Sequence, residues 1–223
     1  MLSLASNLAW SQRSSELSAD LPNSLTMVTQ DKVEALFDAG DFERAFFIYR
    51  NELAPIGDKY AQYMVGYMHL TGMGTREDPI AASAWYRLSA ERGTPEFIAA
   101  RDQLLRNMND DERRRSDAEY VQLRAEYCDL AVLLSSVKRN FRELEAKTGS
   151  RIQYDSTAMT VIETGDGRVR SGVDYYGSLN AQLEDRLKLM KEIGGFEDME
   201  TDPGQVNLRE LERRVKEYIA SVD

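Results

Sequence analysis

His69 is the only histidine among 223 residues, so a Ser-His-Asp or Cys-His relay would have to run through it. No nucleophile is paired with it nearby in sequence, and its place inside a helical pattern makes it a packing or surface residue. Carboxylates are plentiful at Asp110-Asp111-Glu112 and at Glu197-Asp198-Met199-Glu200, and a glycosidase needs two of them. Both runs fall at helix ends and in loops, where solvation and the helix dipole already account for acidic residues. Gly165-Asp166-Gly167 carries a fragment of a calcium loop without the further oxygen ligands or the closing glutamate, so it predicts a hairpin turn. Gly72, Gly74, Thr75 and Arg76 lack the GxxxxGK[ST] order of a phosphate cradle. Met64, Met68 and Met73, a candidate soft-metal set, stand at a spacing that helix packing explains. Cys128 is the single cysteine, which excludes an intramolecular disulfide and a cysteine-built zinc site. The chemistry that remains is recognition. Trp85 and Tyr67 are expected to pack between helices, whereas Tyr60, Tyr63 and Tyr86 are expected to reach an open face as anchors for a bound peptide. No catalytic residue, metal ligand or cofactor site is assigned, and the chain reads as a non-enzyme.

The elements that must hold those aromatics lie between Gly57 and Gly93. Tyr60, Met64, Tyr67 and Met68 recur at helical spacing, and Ala61 and Gly66 leave room for a close neighbour. Gly72 and Gly74 end that helix by giving the chain access to positive φ. Asp78-Pro79, an N-cap followed by proline at the first helical position, opens a second helix whose stripe is Ala81, Ala82, Trp85, Leu88 and Ser89. The pattern recurs. Sliding the segment that starts at Asp31 forward by 37 positions lays Asp41 on Asp78, Ala45 on Ala82, Tyr49 on Tyr86 and Arg50 on Arg87. A third pattern starts after Gly93, where Pro95 opens a helix carrying Phe97, Ala100, Leu104 and Leu105. A helical hairpin hides its apolar face only by stacking on the next, so such a series predicts a stack with an end cap.

In their order and near spacing, Ala61, Tyr63, Gly66, Tyr67, Gly72, Gly74, Asp78, Ala82, Trp85, Tyr86, Ala90 and Gly93 resemble the Sel-1-like repeat, a relative of the tetratricopeptide repeat. The resemblance extends over residues about 31–126 and is clearest at 57–93. It implies an α-solenoid of short hairpins that serves as an adaptor or scaffold in assembling complexes, often in bacterial envelopes. The cysteine-rich branch of that family, some of whose members are linked to hydrolysis, is a poor match for a chain with one cysteine.

Beyond the repeats, residues 110–148 hold neither proline nor glycine. Tyr120, Leu123, Tyr127, Leu130, Leu134, Val137, Phe141 and Leu144 form a heptad seam, which predicts one helix of roughly 55 Å. Two later stripes, Leu179, Leu183, Leu187, Met190 and Leu208, Leu211, Val215, Tyr218, Val222, could cover it within one chain as an antiparallel bundle; a coiled-coil homodimer is the competing solution. Short β-like runs around Gly165-Asp166-Gly167 predict a small hairpin at about 151–176. The expected architecture is therefore mainly all-α: an unstructured segment at 1–29, repeats at 30–109, and at 110–223 a long helix, the small hairpin and two further helices.

With 28 basic against 38 acidic residues the net charge is −10, which works against nucleic-acid phosphates and anionic membranes and favours a basic protein or peptide as partner. No run approaches the ~20 apolar residues needed to span a bilayer. The opening MLSLASNLAWSQ has an apolar run but no basic n-region. It is either the tail of an export signal that begins upstream, giving a periplasmic protein, or an ordinary cytoplasmic terminus. These features point to a non-enzymatic interaction adaptor that uses the repeat surface; the alternative is a structural protein that self-associates through the heptad seam.

Overall fold

Short polar side chains folded back onto the backbone mark where most of the helices begin. The computed structural model describes residues 24–148, 160–162 and 169–221. Its helices are α1 (Ser24–Asp38), α2 (Phe42–Ile48), α3 (Lys59–Thr71), α4 (Pro79–Ser89), α5 (Pro95–Asn107), α6 (Asp110–Tyr127), α7 (Asp129–Thr148), α8 (Gly172–Gly194) and α9 (Leu208–Ser221). Asp58 starts α3 by accepting from the Ala61 N–H at 3.0 Å, and Asp78 starts α4 by accepting from Ile80 and Ala81. Asn109 and Glu112 form a reciprocal capping box at α6. The acidic run at 110–112 therefore has a structural task. So does Asp198, which pairs with Arg214 at 2.6 Å.

The chain divides into two compact units between Val132 and Leu133. In the first, α3 and α4 run antiparallel, since Lys59 meets Glu91, Gly66 meets Tyr86 and the Asp78 N–H reaches the His69 carbonyl. The preceding hairpin, α1 and α2, continues into a π-turn at Tyr49–Leu53 and a 3-10 turn at Ala54–Ile56. Positions related by the offset of 37 are buried alike: Ala45 and Ala82 are both 0% exposed, and Tyr49 and Tyr86 are 2% and 3%. Helix α6 repeats the arrangement once more. Ser83 bonds Ser116, Arg87 bonds Asp117 and lies over the Tyr120 ring, and Glu91 accepts from the Asp129 N–H, so α6 runs alongside α4 in the same direction. Helix α5 also packs on α4, and α6 lies in the first unit with the repeats instead of opening the C-terminal region at 110.

Three further expectations are corrected. Helix α1 begins at Ser24, so residues 24–29 are helical and not part of an unstructured segment; Pro22 stands just ahead and neither glycine nor proline interrupts residues 24–38. Residues 1–23, including the opening apolar run, lie outside the described residues. The single helix expected over 110–148 is broken at Cys128, whose backbone is extended with ψ 159°. The break needs no glycine because the repeat satisfies the freed groups: Gln62 Nε2 donates to the Tyr127 carbonyl at 3.0 Å, and Glu91 accepts the Asp129 N–H at 3.1 Å. Finally, α8 takes up Gly172–Tyr176, residues expected to be β-like, because Ser171 caps it by accepting from the Asp174 N–H.

In the second unit, Leu133, Leu134 and Val137 of α7, Leu179, Leu183, Leu187 and Met190 of α8, and Leu211 and Val215 of α9 are buried in the single chain. Lys138 pairs with Glu212 at 3.0 Å, and the Tyr175 hydroxyl donates to Glu143. Strands β1 (Thr160–Ile162) and β2 (Val169–Ser171) pair antiparallel, with Thr160 opposite Ser171 and Ile162 opposite Val169. The Gly165-Asp166-Gly167 turn and residues 151–159 lie outside the described residues. Among the described residues no helix is long and apolar enough to cross a membrane.

Cys128 is 2% exposed, and burial pushes its thiol up to about 11. Native protein at mildly alkaline pH is expected to resist iodoacetamide, and the same protein in guanidinium chloride to gain one carbamidomethyl group by mass spectrometry.

Candidate protein-binding site

Tyr60, Tyr63 and Tyr67 follow one another at i, i+3 and i+7 on α3, and all three are half-buried while Met64, Val65 and Met68 of the same helix are enclosed. Each ring leans on another aromatic. Tyr49 supports Tyr60 edge-on at a centroid distance of 6.4 Å, and Phe37 of α1 lies 6.5 Å from Tyr67. Tyr63 is sandwiched: Phe97 of α5 stacks on it at 4.8 Å and Tyr86 of α4 at 5.1 Å, with interplanar angles of 23° and 21°. Helices α1, α4 and α5 and the turn after α2 therefore all contribute to one aromatic face around α3.

Of the residues expected on an open face, Tyr60 and Tyr63 are partly open and Tyr86 is not. Tyr86 is 3% exposed, and a Cβ at position 66 would come within 2.7 Å of its ring. Gly66 is therefore the surface on which Tyr86 lies. Burial, with the neighbouring tyrosines, raises the Tyr86 pKa far above the ordinary phenol range. Tyr86 thus holds Tyr63 in place from behind. Tyr67, expected between helices, is the third member of the half-open row.

One edge of this face is acidic. Helix α1 places Asp31, Glu34 and Asp38 at i, i+3 and i+7, and Gln30 Nε2 donates to Asp58 Oδ2 at 2.8 Å, which ties α1 to the start of α3 two residues before Tyr60. Partial burial first, and then Asp31, Asp38 and Asp58, raise the Glu34 carboxyl above the usual carboxylate range. Burial together with Glu34, Tyr63, Asp58 and Asp38 pushes the Tyr60 phenol up to about 12, so it stays protonated at neutral pH.

A second polar cluster, invisible in the sequence, lies behind the face. Lys59, 3% exposed, reaches Glu91 at 2.7 Å and Asp129 at 3.2 Å, and Arg92 grips both Asp129 oxygens at 2.8 and 2.9 Å. Arg92 Nη2 also donates to the Gly57 carbonyl, and Gln62 Nε2 to the Ala54 carbonyl. Burial would raise the Asp129 pKa, but Lys59 and the two-pronged Arg92 contact together hold it below the usual value.

The remaining candidates for chemistry are packed. His69 meets the edge of Phe46 at 5.2 Å, and burial first, then Arg50, lowers its pKa so that the ring is neutral. Met64 and Met68 are core residues. Among the described residues no group of three or more His, Cys, Asp or Glu side chains is placed to hold a metal ion.

Residues 59–94, from the first residue of α3 to just past Gly93, match the family model of the Sel1 repeat, so the central hairpin of the aromatic face is a Sel1 repeat. No curated protein and no solved structure matches the chain.

Proposed function

We propose that the Sel1 repeat at 59–94 and the helices on either side form a short α-solenoid that holds one polypeptide partner on the Tyr60-Tyr63-Tyr67 face, as a non-enzymatic adaptor. The assembly of a bacterial envelope complex is the setting to which the repeat resemblance points. The observation that carries this reading is the fixed, half-open ring of Tyr63 between Tyr86 and Phe97. A ring already held in place loses little freedom on binding, so its contact area converts efficiently into affinity. The self-associating alternative has less support, because Leu134, Val137, Leu183 and Leu187, which a homodimer would bury, are covered in the single chain.

The test is a photo-crosslinking residue at position 63 in cells, with position 207 on the second unit as control. A discrete polypeptide is expected from 63 and not from 207. Purified, that polypeptide is expected to bind Tyr63→Ala about tenfold or more weakly at unchanged helical content, as for an interface hot spot. Equal binding would remove the aromatic face as the site.

A further inference from the structure

We infer that the polypeptide held on this face presents a proline-rich segment in the polyproline II conformation, its backbone carbonyls accepting from the hydroxyls of Tyr60 and Tyr67. The inference rests on the proposed protein-binding role and adds the chemistry of the partner.

At its centre the face is electropositive at short range. Phe97 and Tyr86, 4% and 3% exposed, stack on Tyr63 and cover the faces of its ring, so the half-open part of Tyr63 is its edge and its hydroxyl. A ring edge carries the positive part of the aromatic quadrupole, and a phenol O–H adds a donor there. On either side of Tyr63, the hydroxyls of Tyr60 and Tyr67 make no hydrogen bond among the described residues. Tyr49 and Phe37 brace those two rings, and burial keeps Tyr60 protonated. A fixed row of donors is complemented by a row of acceptors.

Polyproline II supplies such a row. Its carbonyls have no partner within the segment, and each proline removes an N–H that would find no acceptor here. The spacing agrees. Tyr60 and Tyr67 are seven residues apart on α3, about 10 Å at ~1.5 Å per residue, and one polyproline II turn advances about 9 Å, three residues at ~3.1 Å each. Carbonyls one turn apart therefore meet the first and last tyrosine, and the pyrrolidine rings between them pack on the edge of Tyr63. Other partners fit less well. A helix uses its carbonyls internally, an added strand needs an open sheet edge, and a cation seeks the ring faces that Phe97 and Tyr86 already cover. A polyproline II segment is also ordered before it binds, as the tyrosines are, so little freedom is lost on either side.

The experiment titrates the full chain into two labelled peptides of about 12 residues, four polyproline II turns, one of repeated Pro-Pro-Ala and the other of repeated Gly-Ser, and follows fluorescence anisotropy. The proline peptide is expected to bind about tenfold or more tightly than the other. The double variant Tyr60→Phe, Tyr67→Phe keeps both rings and removes both hydroxyls. It is expected to bind the proline peptide about tenfold more weakly at unchanged helical content, as for two lost neutral hydrogen bonds, and Tyr218→Phe on α9 to alter binding less than about twofold. Equal binding of the two peptides would overturn the inference, and so would a double variant that binds the proline peptide as well as wild type does. Random peptides displayed on phage and selected on the immobilised full chain separate this failure from failure of the site. If they lack proline enrichment and still lose binding in Tyr63→Ala, the aromatic face stands and only its preference for proline falls; if Tyr63→Ala binds them unchanged, both fall.

Discussion

Asp129→Asn is expected to destabilise the first unit by about 3–5 kcal/mol, the range for removing one partner of a buried ion pair. Asparagine keeps the shape and loses the charge. Arg92 would lose the carboxylate it grips, and Lys59 would be left with Glu91, which already accepts from Lys59 at 2.7 Å and from the residue 129 N–H at 3.1 Å. The loss falls on the joint where α6 ends and α7 begins, because Asp129 connects that joint to both ends of the Sel1 hairpin. Lys59→Met is expected to cost less, since Arg92 keeps both hydrogen bonds to Asp129 and Glu91 is partly open to water. Acid narrows the gap. A carboxyl whose pKa is depressed in the folded state contributes its full stability above the unfolded value of ~3.9 and loses it as pH falls through the folded value. The difference between wild type and Asp129→Asn should therefore be level at neutral pH and shrink below about pH 4. Urea denaturation followed by Trp85 fluorescence in a Trp10→Phe background measures it, and a difference under about 1 kcal/mol would mean that the cluster is not a structural joint.

The repeat was legible in the sequence because its signals are short-range. Positive-φ glycines, Asp-Pro at a helix start and small residues at the crossing all act within a few positions, and the offset of 37 pairs residues of equal burial. The break at Cys128 was not legible, since its caps come from Gln62 and Glu91, 65 and 38 residues away from the groups they satisfy. A run without glycine or proline looks continuous unless those partners are known. Tyr86 was misplaced for a related reason: its burial depends on the missing side chain of Gly66 across the hairpin. The acidic edge of the face was hidden because nothing local brings Glu34 near Tyr60. In the C-terminal unit the two later stripes stood out by period alone, whereas β-branched and aromatic residues at 173–176 argued for strand and a single serine cap prevailed.

Gly74→Ala is expected to destabilise the first unit by about 3 kcal/mol or more, from a left-handed backbone and a backbone clash together. Gly74 has φ +69°, and a Cβ there would lie 2.1 Å from the Phe42 carbonyl oxygen and 2.9 Å from the Glu43 nitrogen. Backbone atoms at the start of α2 cannot rotate aside as a side chain can. Gly72 separates the two contributions. It has the same φ of +69°, but its nearest neighbour is Glu77 Cβ at 3.4 Å, so Gly72→Ala should carry only the conformational cost of about 1–2 kcal/mol. The excess for Gly74 measures how tightly the repeat's glycine loop seats the first hairpin. Hydrogen exchange locates it: amides of α1 and α2 should lose protection in Gly74→Ala and keep it in Gly72→Ala. Because Phe37 and the acidic edge ride on α1, the looser hairpin should also weaken whatever binds at Tyr67 and Tyr60, without any change to a residue on that face. Equal stability and exchange in the two variants would mean that the first hairpin is held by something other than this contact.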